Sequence, residues 1–272
     1  IVTAGIGIGF ALSGVIVPPI LSAYGAEGWR FCWYYLGVIV LVLAAITWGF
    51  LRNSPEDLGL KQLGSGASED KSEGQKTKGL EWGKVYKLGS VWYLGVIYLI
   101  FGFSYVIYIN FFATFLVKEM GWTNSEAGRL FTFLGFLSIF CGLLWGGISD
   151  VIGRKGGAAL AYVALAISYG IFALFRSPGA FYVSAVFFGL TAWAIPTIMA
   201  AAAGDYVGPR LAPAGLGFIT VFFGIGQAIG PYVGGLFADM TDSFTLSFAL
   251  ASGVSMTGAV GSLTLRRPRG EA

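Results

Sequence analysis

Eight stretches of this chain are long and apolar enough to cross a bilayer, and that limits the possible folds more than any other feature of the sequence. A hydrocarbon core about 30 Å thick takes about 20 apolar residues in helical form. The stretches lie near residues 1–23, 31–51, 90–116, 127–147, 156–175, 179–203, 214–238 and 244–265. Lipid offers no water to an exposed backbone, so segments of this length fold as helices, and the expected fold class is an all-α membrane protein. A composition with 56% hydrophobic and only 11% charged residues excludes a water-soluble domain. The 42 glycines suit membrane helices whose backbones approach closely. Cys32 and Cys141 both lie inside apolar stretches and read as small buried hydrophobes, not as disulfide partners. Histidine is absent, which removes the commonest metal ligand and general base; no metal, cofactor or catalytic residue is expected.

Basic residues fix the expected direction of the spans. Sorted by alternate loops, one side carries Arg52, Lys61, Lys71, Lys76, Lys78, Lys84, Lys87, Arg154, Lys155, Arg210, Arg266, Arg267 and Arg269. The other carries only Arg30, Lys118, Arg129 and Arg176, out of 17 in all. The positive-inside rule then places both ends of this chain in the cytoplasm, as expected of a multi-pass protein of a plasma membrane. Residues 52–87 form the one sizeable hydrophilic segment, and Gly64 to Lys78 within it has the mixed charge and missing apolar groups of a disordered linker. Leu80 to Leu88 is amphipathic and predicts a helix lying at the interface. The expected domains are therefore 1–51, a cytoplasmic loop at 52–87, and a six-helix bundle over 88–272.

Between the fourth and fifth spans stands Gly146-Gly147-Ile-Ser-Asp150-Val-Ile-Gly153-Arg154-Lys155. Gly146 and Gly147 are expected to let helix backbones approach, Gly153 to permit a left-handed turn, and Asp150 to reach Arg154 four residues on. A plainer role for Arg154 and Lys155 is to anchor the loop on lipid phosphates. The run matches G-x-x-x-D-x-x-G-R-K, and the chain thereby resembles the major facilitator superfamily of solute transporters. That resemblance implies two six-helix bundles joined by a cytoplasmic loop, so these eight spans would correspond to helices five to twelve of a twelve-helix carrier. It also implies that Asp150 caps the cytoplasmic N-terminus of helix five, here Ile1 to Gly5, and so holds a cytoplasmic gate shut.

A second pattern, Gly226-x-x-x-Gly230-Pro231-x-x-Gly234-Gly235, resembles the superfamily's antiporter motif, although that motif belongs to helix five and this copy lies on helix eleven. Residues 226, 230 and 234 share a face that a neighbouring helix could enter, and Pro231 frees the Gln227 carbonyl and invites a kink. The helix-five counterpart keeps only Gly14, Pro18 and Pro19. Glu27-Gly-Trp-Arg30 resembles the external turn after helix five, and Leu51 to Leu60 resembles the exit from helix six.

No charged residue falls near the middle of any span, although intramembrane charges commonly mark ion and proton pathways. Candidate substrate contacts are therefore neutral: Tyr105 and Tyr108 on helix seven, Trp193 and Thr197 on helix ten, and Gln227 on helix eleven. Asn110 sits about 140° from Tyr105 on a regular helix and cannot share its face. Pro196 is expected to loosen helix ten in mid-membrane. Gly102 to Phe115 looks most like bacterial carriers related to monocarboxylate, oxalate/formate and cyanate permeases. The resemblance implies secondary transport of a small organic solute, an organic anion ahead of a drug exported against protons, with a coupled proton as a further partner and a monomer as the working state. A membrane-embedded enzyme lacks its catalytic groups, a non-transporting sensor would add a signalling domain, and no nucleic-acid-binding module is present.

Overall fold

The computed structural model describes residues 2–52, 59, 82–208 and 210–265, and among these there is helix and no strand. The helices are α1 (Val2–Tyr24), α2 (Gly28–Phe50), the short α3 (Trp82–Tyr86), α4 (Gly89–Lys118), α5 (Asn124–Ile152), α6 (Arg154–Leu174), α7 (Pro178–Thr191), α8 (Ala194–Val207), α9 (Ala212–Thr241) and α10 (Thr245–Leu263). The eight expected spans occur as seven continuous helical runs, because a single 3-10 turn at Gly25–Glu27 joins α1 to α2 over residues 4–50. The sixth expected span is two helices, α7 and α8. The linker from Gly64 to Lys78 and most of Leu51 to Leu60 lie outside the described residues.

Two compact units divide the chain: residues 1–19 with 81–272, and residues 20–80. In the second unit nearly every described side chain of α2 is exposed, with Trp48 at 88% and Phe50 at 85%, the surface of a helix made for an apolar solvent. At its start Arg30 pairs with Glu27 and lies over the Trp29 ring.

The first unit holds the core. Helix α4 runs along α9, α6 along α10, and α5 along α7. Interhelical hydrogen bonds join them where an apolar solvent leaves no alternative partner: Tyr162 Oη donates to the Ile97 carbonyl at 2.6 Å, Ser255 Oγ to the Tyr162 carbonyl at 2.9 Å, and Ser252 Oγ to the Ala166 carbonyl at 2.7 Å. Glycines set the closest approaches. A Cβ on Gly230 would stand 2.6 Å from the Phe103 carbonyl oxygen, and one on Gly226 would collide with the Leu99 carbonyl oxygen. Helix α9 remains continuous through Pro231.

Helix α1 lies antiparallel on α5 by the same means. A Cβ on Gly7 would come within 2.6 Å of the Ile139 amide, and one on Gly14 would run into Gly128 and Thr132. Gly146 and Gly147 do not serve in this way: among the described residues a Cβ at either would meet open space. The close approaches of α5 fall about three and five turns earlier, at Gly135 and Gly128, and among the described residues no backbone lies against 146 or 147.

Local chemistry explains where the helices stop. Thr123 and Glu126 form a reciprocal capping box at the start of α5, and Ser177 with Pro178 opens α7. Glu119 accepts from the Phe244 amide at 2.6 Å and from Ser243 Oγ at 2.8 Å, tying the end of α4 to the start of α10. Among the described residues of the amphipathic segment before α4, Trp82–Tyr86 are helical and seated on the protein: Val85 is fully buried and the Tyr86 ring lies 4.9 Å from Phe218.

Candidate functional site

The signature run forms the turn between α5 and α6. Gly153 has φ +81°, a conformation that side chains disfavour, and serves at once as the C-cap of α5 and the N-cap of α6. The turn brings Arg154 back over the end of α5. Its guanidinium donates to Asp150 at 2.6 Å and to Ser149 Oγ at 2.8 Å, and its Nε donates to Asp205 at 3.3 Å. Lys155 is exposed.

Asp205, at the end of α8, was not among the sequence candidates. Its signal was present: an acid just past a span end, on the side where bases dominate. Of the expected partner for Asp150, Ile1 lies outside the described residues; the partner described for Asp150 is Arg154, within its own turn. The pairs are a third to two thirds exposed, so each contributes on the order of 0–1 kcal/mol. What the cluster provides is a joint between the ends of α5, α6 and α8.

Near the middle of the bundle a second cluster assembles. Tyr105 packs on Phe101 and Phe223, with ring centroids at 4.7 and 5.7 Å, and meets Trp193 edge-on at 6.0 Å. Gln227 Nε2 donates to the Tyr105 hydroxyl. Phe10 of α1 stacks on the other side of Trp193 at 5.6 Å. Trp193 stands where α7 has ended and α8 has not begun, and its buried indole N–H has no hydrogen-bond partner. A lone donor in an apolar interior is costly, on the order of 1–3 kcal/mol, and calls for an explanation.

The other candidates sit elsewhere. Tyr108 is fully buried in the packed core among Phe112, Phe172, Phe188 and Phe248, and its hydroxyl bonds Ser184 Oγ at 2.9 Å. Thr197 turns its hydroxyl back onto the Trp193 carbonyl at 2.8 Å. Asn110 is exposed. Gly234 approaches Phe111 and Ile107, whereas Gly235 makes only an ordinary contact with Phe111. The structure thus joins Tyr105, Gln227 and Trp193 and leaves Tyr108 and Thr197 out. Among the described residues the buried polar side chains are eight serines and Thr191, with no charge. Phe10 was missed because nothing in the sequence says which helix faces Trp193.

Comparison with known proteins follows this geometry. The profile of the Major Facilitator Superfamily matches residues 94–272. The "Probable sulfoacetate transporter" of Cupriavidus necator is 26% identical over 288 residues, covering 95% of this chain and 63% of that protein. The hexuronate transporter of Bacillus subtilis (strain 168) is 24% identical over 289 residues, covering 98% of this chain and 64% of that protein. A crystal structure of a bacterial homologue of the human lysosomal transporter Spinster, inward-facing and unoccupied, superposes with a TM-score of 0.56 at 19% identity, covering 97% of this chain and 65% of that one. The chain spans a little under two thirds of the length of these relatives.

Proposed function

The chain belongs to the major facilitator superfamily, and on that premise we propose that it is part of a carrier that moves a small organic anion across a membrane by alternating access. The observation that carries the reading is the unpaired indole N–H of Trp193 beside the Tyr105–Gln227 pair. Neutral N–H and O–H donors in a low dielectric hold anionic oxygens well, and they need no compensating charge once the anion has left. Helix α8 begins at the same place. The N-terminus of a half-helix in mid-membrane carries a partial positive charge of about +0.5, which also favours an anion.

Two relatives support the substrate class, since they are named for sulfoacetate and hexuronate, both organic anions. The remaining assignments belong to the same reading: 1–51 as the end of one bundle, 52–87 as a cytoplasmic loop, 88–272 as a six-helix bundle, both ends in the cytoplasm, and the Arg154 cluster as the joint that biases the inward- and outward-facing states. Uptake into proteoliposomes tests it. The complete carrier should transport sulfoacetate or a hexuronate, and Trp193→Phe and Gln227→Ala should each raise KM by about tenfold. Transport of a lipophilic cation in place of either anion would sink the proposal.

A further inference from the structure

The break between α7 and α8 is held from outside by α5. The last backbone bond of α7 is Ala192 N–H to the Phe188 carbonyl at 2.7 Å, and the ladder resumes with Thr197 N–H to the Trp193 carbonyl at 3.3 Å. In an unbroken helix the Ala194 amide would donate to the Leu190 carbonyl. Here the carbonyl turns to α5: the Trp145 indole N–H donates to the Leu190 carbonyl at 2.7 Å.

Cys141 and Trp145 are one turn apart on one face of α5, and both are buried. The end of α7 is also seated against α5, because a Cβ on Gly189 would stand 2.7 Å from the Leu134 carbonyl oxygen. Pro196, which has no N–H to offer, accounts for the loss of one helical bond. It does not account for a side chain of another helix taking the acceptor of a second.

We infer that Trp145 is a positioning residue for the anion site: by taking the Leu190 carbonyl it keeps the helix open at Trp193 and holds that indole N–H unpaired, beside Tyr105, for a substrate oxygen. This rests on the reading of Trp193 as a substrate contact. Were the break to close into a regular helix, residue 193 would rotate with α8 and leave its place between Phe10 and Tyr105.

The test uses the complete carrier with Cys32→Ser, which leaves Cys141 as the cysteine of this segment. Alkylation by N-ethylmaleimide should be slow at the buried Cys141 and about tenfold faster in Trp145→Phe, which keeps the ring but loses the donor. The KM for sulfoacetate or a hexuronate should rise by about the same factor with the maximal rate retained. Trp145→His, which keeps a ring N–H, should recover part of both. Trp145→Phe combined with Trp193→Phe should be no worse than Trp193→Phe alone, because the first acts through the second.

Unchanged alkylation and unchanged KM in Trp145→Phe, with KM raised in Trp193→Phe, would overturn the positioning role and leave the anion site standing. An unchanged KM in Trp193→Phe would remove the site itself and the inference with it. If Trp145→Phe does not reach the membrane, Trp145→Leu, which also lacks the donor, tests the same clamp: a raised KM supports the inference, and a wild-type KM overturns it.

Discussion

Arg154 makes three polar contacts from one side chain, so its partners cannot be independent of one another. Removing either carboxylate leaves the guanidinium with the other. Asp150→Asn and Asp205→Asn should each shift the carrier toward the inward-open state by on the order of 0.3–1 kcal/mol, and the double variant should exceed their sum. Accessibility of cytoplasmic-side cysteines measures the shift, and strict additivity would mean that the pairs are separate surface contacts. Tyr108 makes the opposite case. On a regular helix it lies about 60° from Tyr105, and the sequence offers no reason to separate their roles. The packing does: the Tyr108 hydroxyl is spent on Ser184, so Tyr108→Phe should lower stability by about 1 kcal/mol and leave KM for the anion alone. A melting curve in detergent and an uptake assay separate the two effects. Residue type and spacing therefore identified the polar groups near mid-span, while the partner that each one meets depends on helices distant in sequence.

At the scale of elements, the seam between α4 and α9 is built on glycine. Gly226→Ala and Gly230→Ala force a methyl into carbonyl oxygens of α4 and should destabilise the protein by about 1–3 kcal/mol. Gly224, two residues before Gly226, would place its Cβ in open space, and Gly224→Ala should be neutral or stabilising by up to about 1 kcal/mol. Thermal unfolding of the three variants checks the contrast, and equal losses would mean that helix propensity alone is at work. The four-residue spacing of this stripe was legible because small residues every fourth position make a groove in any helix. At Gly146 and Gly147 the described residues offer no such neighbour, since a glycine permits close approach without requiring it. Pro196 marked the weak point of helix ten. Its clamp was invisible, because Trp145 lies 45 residues away in sequence from the carbonyl it holds.

The whole molecule was the most legible scale, since span lengths depend on bilayer thickness and need no tertiary information. A signature of five fixed positions then pointed to the family. The turn between α1 and α2, at Gly25–Glu27, falls beside the expected turn at Glu27 to Arg30. Direction across the membrane is the corresponding prediction. With thirteen of 17 basic residues on one side, a cysteine introduced as Ser72→Cys should react with an impermeant thiol reagent from the cytoplasmic face alone. Labelling of intact cells from outside would reverse the map. On the proposed alternating access, movement passes through the contact of α1 with α5, where Gly7, Gly14, Gly128 and Gly135 allow close approach. Interlocked side chains act as teeth, and parting them means lifting each from its notch. A glycine seam has few, here Pro18 over Gly128 and Thr132 over Gly14, so its helices can glide or roll with less friction, and a single added methyl would act as a catch that slows turnover without touching the solute.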